Sequence, residues 1–153
     1  MKIRKFRPGE ELLLKQLFFH TIRTINRRDY SEAQVRAWAP DEIEDSRWLR
    51  HVEATKPWVC ELDGRIAGYT DLQDDGYIDH FYVHHECQGQ GVGKALFAHI
   101  EAEALRRGLG ELYSHVSLTA RPFFESRGFR VEKRQQVRMG EEALTNFVMR
   151  KRL

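Results

Sequence analysis

The stretch Gln88-Gly89-Gln90-Gly91-Val92-Gly93-Lys94 decides the fold, because it joins a strand-like segment to a long helical pattern. Upstream, residues 77–84 are rich in aromatic and β-branched residues, as in strands. Downstream, apolar residues recur every four positions, at Val92, Leu96, Ile100 and Ala104. A glycine-rich turn at a helix N-terminus directs backbone N–H groups into one concavity, where the helix dipole favours an anion. The turn therefore predicts a phosphate-binding site.

Two familiar phosphate-binding loops do not fit this stretch. A Walker A loop requires glycine where Gln88 stands and serine or threonine where Ala95 stands. A dinucleotide-binding fingerprint that begins with Gly89 and Gly91 requires a third glycine at the position of Lys94. It also requires an early parallel βαβ unit, which the order of elements does not provide. Both classes of nucleotide-binding protein are excluded.

The remaining chain alternates between helical and strand patterns, with turns at Asp63-Gly64 and at Asp74-Asp75-Gly76. Strands are predicted at residues 2–6, 58–62, 65–72, 77–84, 111–116, 129–137 and 145–149. Helices are predicted from residue 10, from a capping box at 31–34, and at 45–54, 92–107 and 120–127. We expect an α/β (α+β) fold with a mixed, mostly antiparallel sheet of six to seven strands and helices on both faces.

Length and composition indicate one domain over residues 1–153, and 41% hydrophobic against 31% charged residues is ordinary for a globular protein. No apolar stretch is long enough to cross a membrane, and residues 1–9 do not resemble a secretory signal, so we expect a cytoplasmic protein. Cys60 and Cys87 are too few for a disulfide framework. The 25 basic and 23 acidic residues leave a net charge of +2, too little to predict nucleic-acid binding.

Three motifs carry a resemblance to a known family. The pattern Gln-x-x-Gly-x-Gly at 88–93, between a strand and a helix, resembles the pyrophosphate loop of the GCN5-related N-acetyltransferases (GNAT). Residues 78–83 are similar to that family's fourth strand, and residues 120–129 to its late helix with the Gly-Phe ending. The resemblance covers nearly the whole chain. Residues 30–38 and 145–149 resemble a bacterial branch of the family.

The resemblance implies an acyltransferase that moves an acetyl group from acetyl-CoA to an amine by direct transfer in a ternary complex. The implied partners are the coenzyme and a small-molecule or protein amine, and the implied state is a monomer or a homodimer. Phe81, Tyr82 and Val83 would contact the pantetheine arm and the thioester. The backbone amides of Gln88, Gly89, Gln90, Gly91, Val92, Gly93 and Lys94 would hold the pyrophosphate.

The sequence departs from the family at two coenzyme-contacting positions. Phe124 stands where most members have a tyrosine that protonates the leaving thiolate, and Ser117 stands where they have an asparagine. Phenylalanine cannot donate a proton, so the acid role falls to Ser117, to Tyr82 or to water, or the thiolate leaves unassisted. The departure at Phe124 also keeps an alternative open: a coenzyme-A-binding module with little or no catalytic activity.

Two neighbouring residues are candidates for the general base. Side chains alternate along a strand, so Asp79 and His80 are expected on opposite faces. The family's acidic bases on this strand lie an even number of positions before the valine, which favours Asp79. His80 has the pKa better matched to neutral pH, whereas Asp79 would need burial or a water relay.

The other histidines and the tryptophans do not predict a second functional site. His80, His84 and His85 lack a third ligand at a motif spacing, so no metal site is predicted. Trp38, Trp48 and Trp58 are expected to pack in the core. Because helices near the N-terminus wall the acceptor site in the family, Trp38 and His20 are also candidate acceptor contacts.

Overall fold

A computed structural model describes all residues from 1 to 153. The strands are β1 (Lys2–Lys5), β2 (Trp58–Leu62), β3 (Arg65–Thr70), β4 (Tyr77–Ile78), β5 (Phe81–Val83), β6 (Glu111–Ser117), β7 (Arg130–Met139) and β8 (Glu142–Arg152). The helices are α1 (Glu11–Thr24), α2 (Glu32–Trp38), α3 (Asp45–Thr55), α4 (Val92–Arg106) and α5 (Arg121–Ser126), with a 3₁₀ turn at Asn26–Arg28. The predicted mixed α/β fold is confirmed.

The strands form two sheets of four, in the orders β1-β2-β3-β5 and β4-β6-β8-β7. All pairings are antiparallel except that between β4 and β6. The total is eight strands instead of six or seven, because the strand predicted at 77–84 is broken at Asp79 and His80. Ile78 pairs with Ser114 of β6, whereas Phe81 pairs with Thr70 of β3. The prediction of one continuous strand was wrong.

A buried carboxylate accounts for the break. Asp71 accepts hydrogen bonds from the backbone N–H of Asp79 at 3.2 Å and of His80 at 2.7 Å. Both amides thus bond to a side chain instead of a neighbouring strand, and side chains of this type compete with strand pairing. The chain changes sheets at this point and the two sheets separate.

Helices pack against both faces of the first sheet, as predicted. Val59 joins a buried cluster that includes Leu14, Ile22 and Val35 of the N-terminal helices. Its neighbour Trp58 points the other way and joins a cluster that includes Ile100 of α4. This alternation along β2 places α1, α2 and α3 on one side and α4 on the other.

The N-terminal helices are fixed to the second sheet at one residue in particular. The hydroxyl of Tyr30 donates to the carbonyl of Thr145 on β8 and accepts the backbone N–H of Leu118, at 2.5 Å and 2.9 Å. The predicted capping box is present at the start of α2, where Ser31 and Gln34 exchange side-chain and backbone hydrogen bonds. These contacts hold α1 and α2 over the gap between the sheets. No helix is both long and apolar enough to span a membrane.

Candidate active site

A cavity of about 430 Å³ opens where β5 and β6 separate. Its wall includes Val83 on β5, Val116 on β6, the turn before α4 and the start of α5. The C-terminal end of α1 covers it, and the Thr21 hydroxyl donates to the carbonyl of Val83 at 3.1 Å. The break in the strand therefore produces a cavity that reaches from the glycine-rich turn to Asp79.

The turn before α4 has the properties of an anion site. Gly89 and Gly91 have φ of +72° and +84°, a left-handed conformation that glycine adopts without strain. No backbone N–H from Gln88 to Lys94 donates a hydrogen bond within the protein. Gly93 packs closely enough that a Cβ there would lie 3.4 Å from the Phe123 ring. These free donors at the N-terminus of a 15-residue helix suit the pyrophosphate of a coenzyme.

Most residues predicted to contact the coenzyme line this cavity: Phe81, Tyr82, Val83, Gln88, Gly89, Gly91, Val92, Gly93, Lys94, Ser117 and Phe124. Gln90 does not line it, and its side-chain amide donates to the carbonyl of Glu86 at 3.3 Å. The backbone of Gln90 still belongs to the turn. The side chain of Gln88 donates to the carbonyl of Val83 at 2.8 Å and so ties the turn to β5.

Phe124 occupies an aromatic cluster with no hydroxyl group at its position. It is 2% exposed and makes edge-on contacts with Phe81 and Phe129, at centroid distances of 5.6 Å and 5.0 Å. Two hydroxyls lie nearby in the chain. Ser117 Oγ accepts the N–H of Ala120 at 3.0 Å, whereas Thr119 Oγ1 is buried and has no hydrogen-bond partner. Both residues line the cavity, and Thr119 was not singled out from the sequence.

The two candidate bases face different surroundings. Asp79 lines the cavity and its side chain is 37% exposed. The His80 ring does not line the cavity; it stacks on Phe18 at 5.2 Å, and its Nδ1 lies 2.9 Å from the Tyr69 hydroxyl. Burial lowers the pKa of His80 well below 6.5, and nearby His51 lowers it further. The arrangement therefore brings Asp79, and not His80, to the cavity wall.

Asp71 is a site residue that sequence reasoning missed. It is 1% exposed, and besides the two backbone amides at the strand break it accepts a hydrogen bond from Gln73 at 2.6 Å. Burial raises its pKa to about 6, although these hydrogen bonds oppose the rise. Its only sequence signal is an acidic residue at the end of an otherwise apolar run. The carboxylate positions Asp79 through the backbone.

His51 was also missed. It lies on α3, one turn from buried Trp48, and its Nδ1 is 3.7 Å from Oδ2 of Asp79. Its ring centroid is 4.1 Å from that of His80. Burial lowers the pKa of His51, and the charge of Asp79 opposes that shift. No sequence motif spacing connects these residues, yet folding brings His51 and Asp79 within reach of His80.

Of the two candidate acceptor contacts near the N-terminus, one lines the cavity and the other does not. Trp38 and Asn26 line the cavity beside Tyr82. His20 instead lines a separate depression of about 180 Å³ with Lys15 and Asp41. Trp48 and Trp58 are 4% and 6% exposed and belong to the core, as expected.

The fold and the cavity define a class of acetyl-group transferases built on a split sheet. A family model described as "Acetyltransferase (GNAT) domain" matches residues 26–153. The chain belongs to this GNAT acetyltransferase family, as the motifs predicted.

Among curated proteins, the chain is similar to YafP of Escherichia coli K12, described as an uncharacterized N-acetyltransferase. The two are 32% identical over 150 residues, which is 98% of this chain and 95% of YafP. Among solved structures, a GCN5-related N-acetyltransferase from Rhodopseudomonas palustris superposes with a TM-score of 0.94 at 29% identity, covering 99% of this chain and 95% of that one.

A second solved structure shares the fold and contains the coenzyme. It is the PaiA N-acetyltransferase of Thermoplasma acidophilum in complex with coenzyme A, with a TM-score of 0.79 at 18% identity. The match covers 99% of this chain and 98% of that one.

Proposed function

We propose that this protein is an acetyl-CoA-dependent N-acetyltransferase that moves the acetyl group directly to a primary amine. The observation that carries the proposal is one continuous cavity with free backbone donors at one end and Asp79 at the other. The coenzyme in the PaiA structure supports it. The proposed compartment is the cytosol, in keeping with two free cysteines, and the protein acts as a monomer or a homodimer.

The glycine-rich turn would hold the pyrophosphate. Hydrogen bonds to an ionised acceptor are roughly twice as strong as neutral ones, and here the donors are already oriented. Binding of the pyrophosphate would therefore come from fixed amide groups and would not require an excess of basic residues, which agrees with a net charge of only +2. Lys94, at the first turn of α4, adds a positive charge at the same end.

The pantetheine arm would lie along β5. This strand pairs only with β3, so its other edge can hydrogen-bond an extended chain, except at the Val83 carbonyl, which already accepts hydrogen bonds from Thr21 and Gln88. Phe81 and Val83 line the cavity along that edge. The protein would thereby align the thioester with the amine, and such positioning supplies a large part of the rate of a two-substrate reaction.

Asp79 would take the proton from the incoming ammonium. It is the only carboxylate in the cavity wall, and the strand break directs it there. The neutral amine then attacks the thioester carbonyl, the C–S bond breaks, and the nitrogen releases its second proton, which ends on the coenzyme A sulfur. Hydroxyls of Ser117, Thr119 or Tyr82, or water, can donate to that sulfur. Burial raises the pKa of Tyr82, which weakens it as an acid.

A coenzyme-A-binding module with little catalytic activity is the second candidate. The observation behind it is Phe124, which is buried and presents a ring where the family has a phenol. A binder would keep the anion site and lack a proton donor for the sulfur.

The first experiment measures coenzyme binding by thermal shift. Acetyl-CoA at about 100 times its Kd stabilises the folded state by about 2.7 kcal/mol, which raises the Tm of a chain of this size by roughly 5–10 °C. Gly91→Asp places a carboxylate in the anion site and should abolish the shift. Gly108→Asp is the matched control, since Gly108 also has a positive φ but lies past the far end of α4. No shift in the unmodified protein would reject both candidates.

The second experiment separates enzyme from binder. Release of free thiol from acetyl-CoA is measured against a panel of primary amines, and an amine-dependent rate supports the transferase. Binding of the coenzyme without thiol release for any amine in the panel favours the binding module.

A further inference from the structure

Three potential metal ligands from separate parts of the chain converge beside the cavity. His51 comes from α3, and Asp79 and His80 come from the strand break. One donor atom from each residue lies within 4.8 Å of the others, and His51 Nδ1 is 3.7 Å from Asp79 Oδ2. Donors on a tetrahedral zinc ion with bonds of about 2.0–2.1 Å stand roughly 3.3 Å apart. Zinc binding therefore requires rotation of the His51 and Asp79 side chains, which are 24% and 37% exposed.

The His51 ring lacks the partners that a core histidine normally has. Its Nε2 is buried and no protein group hydrogen-bonds to it, and Nδ1 has only the Asp79 contact at 3.7 Å. Buried polar atoms without a partner are rare in native proteins and indicate an interaction that the polypeptide itself does not supply. A cation shared with Asp79 and His80 would satisfy one of the two ring nitrogens.

The donor set suits a divalent transition-metal ion. Two imidazoles and a carboxylate favour zinc and its first-row neighbours over calcium or magnesium, which prefer oxygen ligands alone. Imidazole must be neutral to bind a metal, and burial lowers the pKa of both histidines. Tyr69 contacts Nδ1 of His80 at 2.9 Å, so Nε2 remains available. A partner of this kind on the second ring nitrogen is usual for metal-bound histidine.

We propose that His51, His80 and Asp79 form a Zn²⁺ site at the edge of the cavity, with water as the fourth ligand. The site draws on the side chain of Asp79, so zinc and the incoming ammonium compete for one carboxylate. Zinc then inhibits acetyl transfer. This inhibition rests on the proposed function, whereas the binding of zinc does not.

A second histidine cluster supplies the control. His84, His85 and Glu86 also lie within reach of one another, but they are consecutive in the chain. His84 Nδ1 already accepts the backbone N–H of Glu86 at 3.0 Å, and the Arg65 guanidinium lies 3.4 Å from the same atom. Because His84 Nδ1 already has a hydrogen bond and the positive charge of Arg65 repels a metal ion, this cluster is the poorer metal site.

The test is a titration of the full, chelator-stripped protein with ZnCl₂ in competition with a chromophoric chelator. We expect one zinc per chain in the unmodified protein and at least a tenfold loss of affinity in His51→Gln and in Asp79→Asn. Tyr69→Phe should weaken binding by roughly tenfold, and His84→Gln should leave it unchanged. Co²⁺ provides a second readout, because its visible absorption should have the intensity of tetrahedral coordination and should be lost in His51→Gln.

Two results overturn the proposal: no stoichiometric zinc binding, or equal binding in the unmodified protein and in folded His51→Gln. A cooperative thermal unfolding transition, measured without ligand, shows that each variant is folded. Asp79→Asn replaces a partly exposed side chain and gives an independent test if His51→Gln fails to fold. Zinc binding, together with no acetyl transfer by the metal-free protein, would leave the site standing and reject the transferase, whereas acetyl transfer by the metal-free protein without zinc binding would do the reverse.

Discussion

Replacement of Asp71 by asparagine tests whether a buried ionised carboxylate holds the strand break. Asp71 is 1% exposed and accepts two backbone amides at the break, and burial raises its pKa from the ordinary 3.8 to about 6. Between these two pH values the folded protein binds more protons than the unfolded chain. The free energy of unfolding must therefore fall as the pH rises through this window.

The magnitude follows from the pKa difference of about 2.2 at 1.36 kcal/mol for each pH unit, which gives about 3 kcal/mol. Asparagine does not titrate, so the variant lacks this dependence. It also has one acceptor oxygen in place of two, and one backbone amide at the break loses its partner at about 1–3 kcal/mol. That second effect is independent of pH and shifts the whole curve of the variant.

The assay is urea unfolding followed by circular dichroism from about pH 3.5 to pH 7, with a chelator present to exclude metal effects. The unmodified protein should lose about 3 kcal/mol relative to Asp71→Asn as the pH rises. Asp75→Asn is the control, because hydrogen bonds from Tyr113 and the Tyr77 amide lower the pKa of Asp75 below 3.8, so its effect on stability changes only at the acid end of this range and with the opposite sign. If the difference in free energy of unfolding between the unmodified protein and Asp71→Asn does not change with pH, or changes in the opposite direction, Asp71 does not have a raised pKa in the folded state.

Three further predictions concern the reaction. Asp79→Asn should flatten the rise of the rate with pH and leave the acetyl-CoA thermal shift intact; an unchanged pH profile would reject Asp79 as the base. Phe124→Tyr restores the family's phenol and should raise kcat by roughly tenfold or more, whereas an unchanged or lower kcat would mean that the sulfur leaves without that donor. Phenethylamine lacks the carboxylate of phenylalanine, and the cavity wall has no lysine or arginine to pair with that carboxylate except Lys94 of the glycine-rich turn. We therefore expect phenethylamine to be acetylated with at least a tenfold higher kcat/KM than phenylalanine; a preference for phenylalanine would contradict this selectivity.

The glycine-rich turn could be read from the sequence because its properties are local. Positive φ at Gly89 and Gly91, the free amides and the following helix all depend on residues within a few positions of one another. The capping box at Ser31 and Gln34 is predictable for the same reason. Where the residues that determine an element are close together in the sequence, the sequence predicts the position of that element to within a few residues.

The strand break and the His51 contacts could not be read in this way. Residues 77–84 are rich in aromatic and β-branched residues on both sides of Asp79, and the carboxylate that breaks the strand lies eight residues before Asp79. His51 is separated from Asp79 by 28 positions and differs from an ordinary helix residue only in sharing a face with Trp48. Propensity measures the preference of a segment alone, and here a tertiary hydrogen bond outweighs it.

The strand break links the architecture to the chemistry. If residues 77–84 formed one continuous strand, β4 and β5 would remain in a single sheet, and strand pairing would occupy the edge of β5 that now faces the cavity. Asp71 takes the amides of Asp79 and His80 out of strand pairing, so the sheet opens at the point where Asp79 enters the cavity and His80 turns towards Tyr69. One buried carboxylate thereby determines both the space for a coenzyme and the direction of the candidate base. Loss of the Asp71 hydrogen bonds should consequently impair coenzyme binding and acetyl transfer together, whereas Asp79→Asn should impair transfer alone.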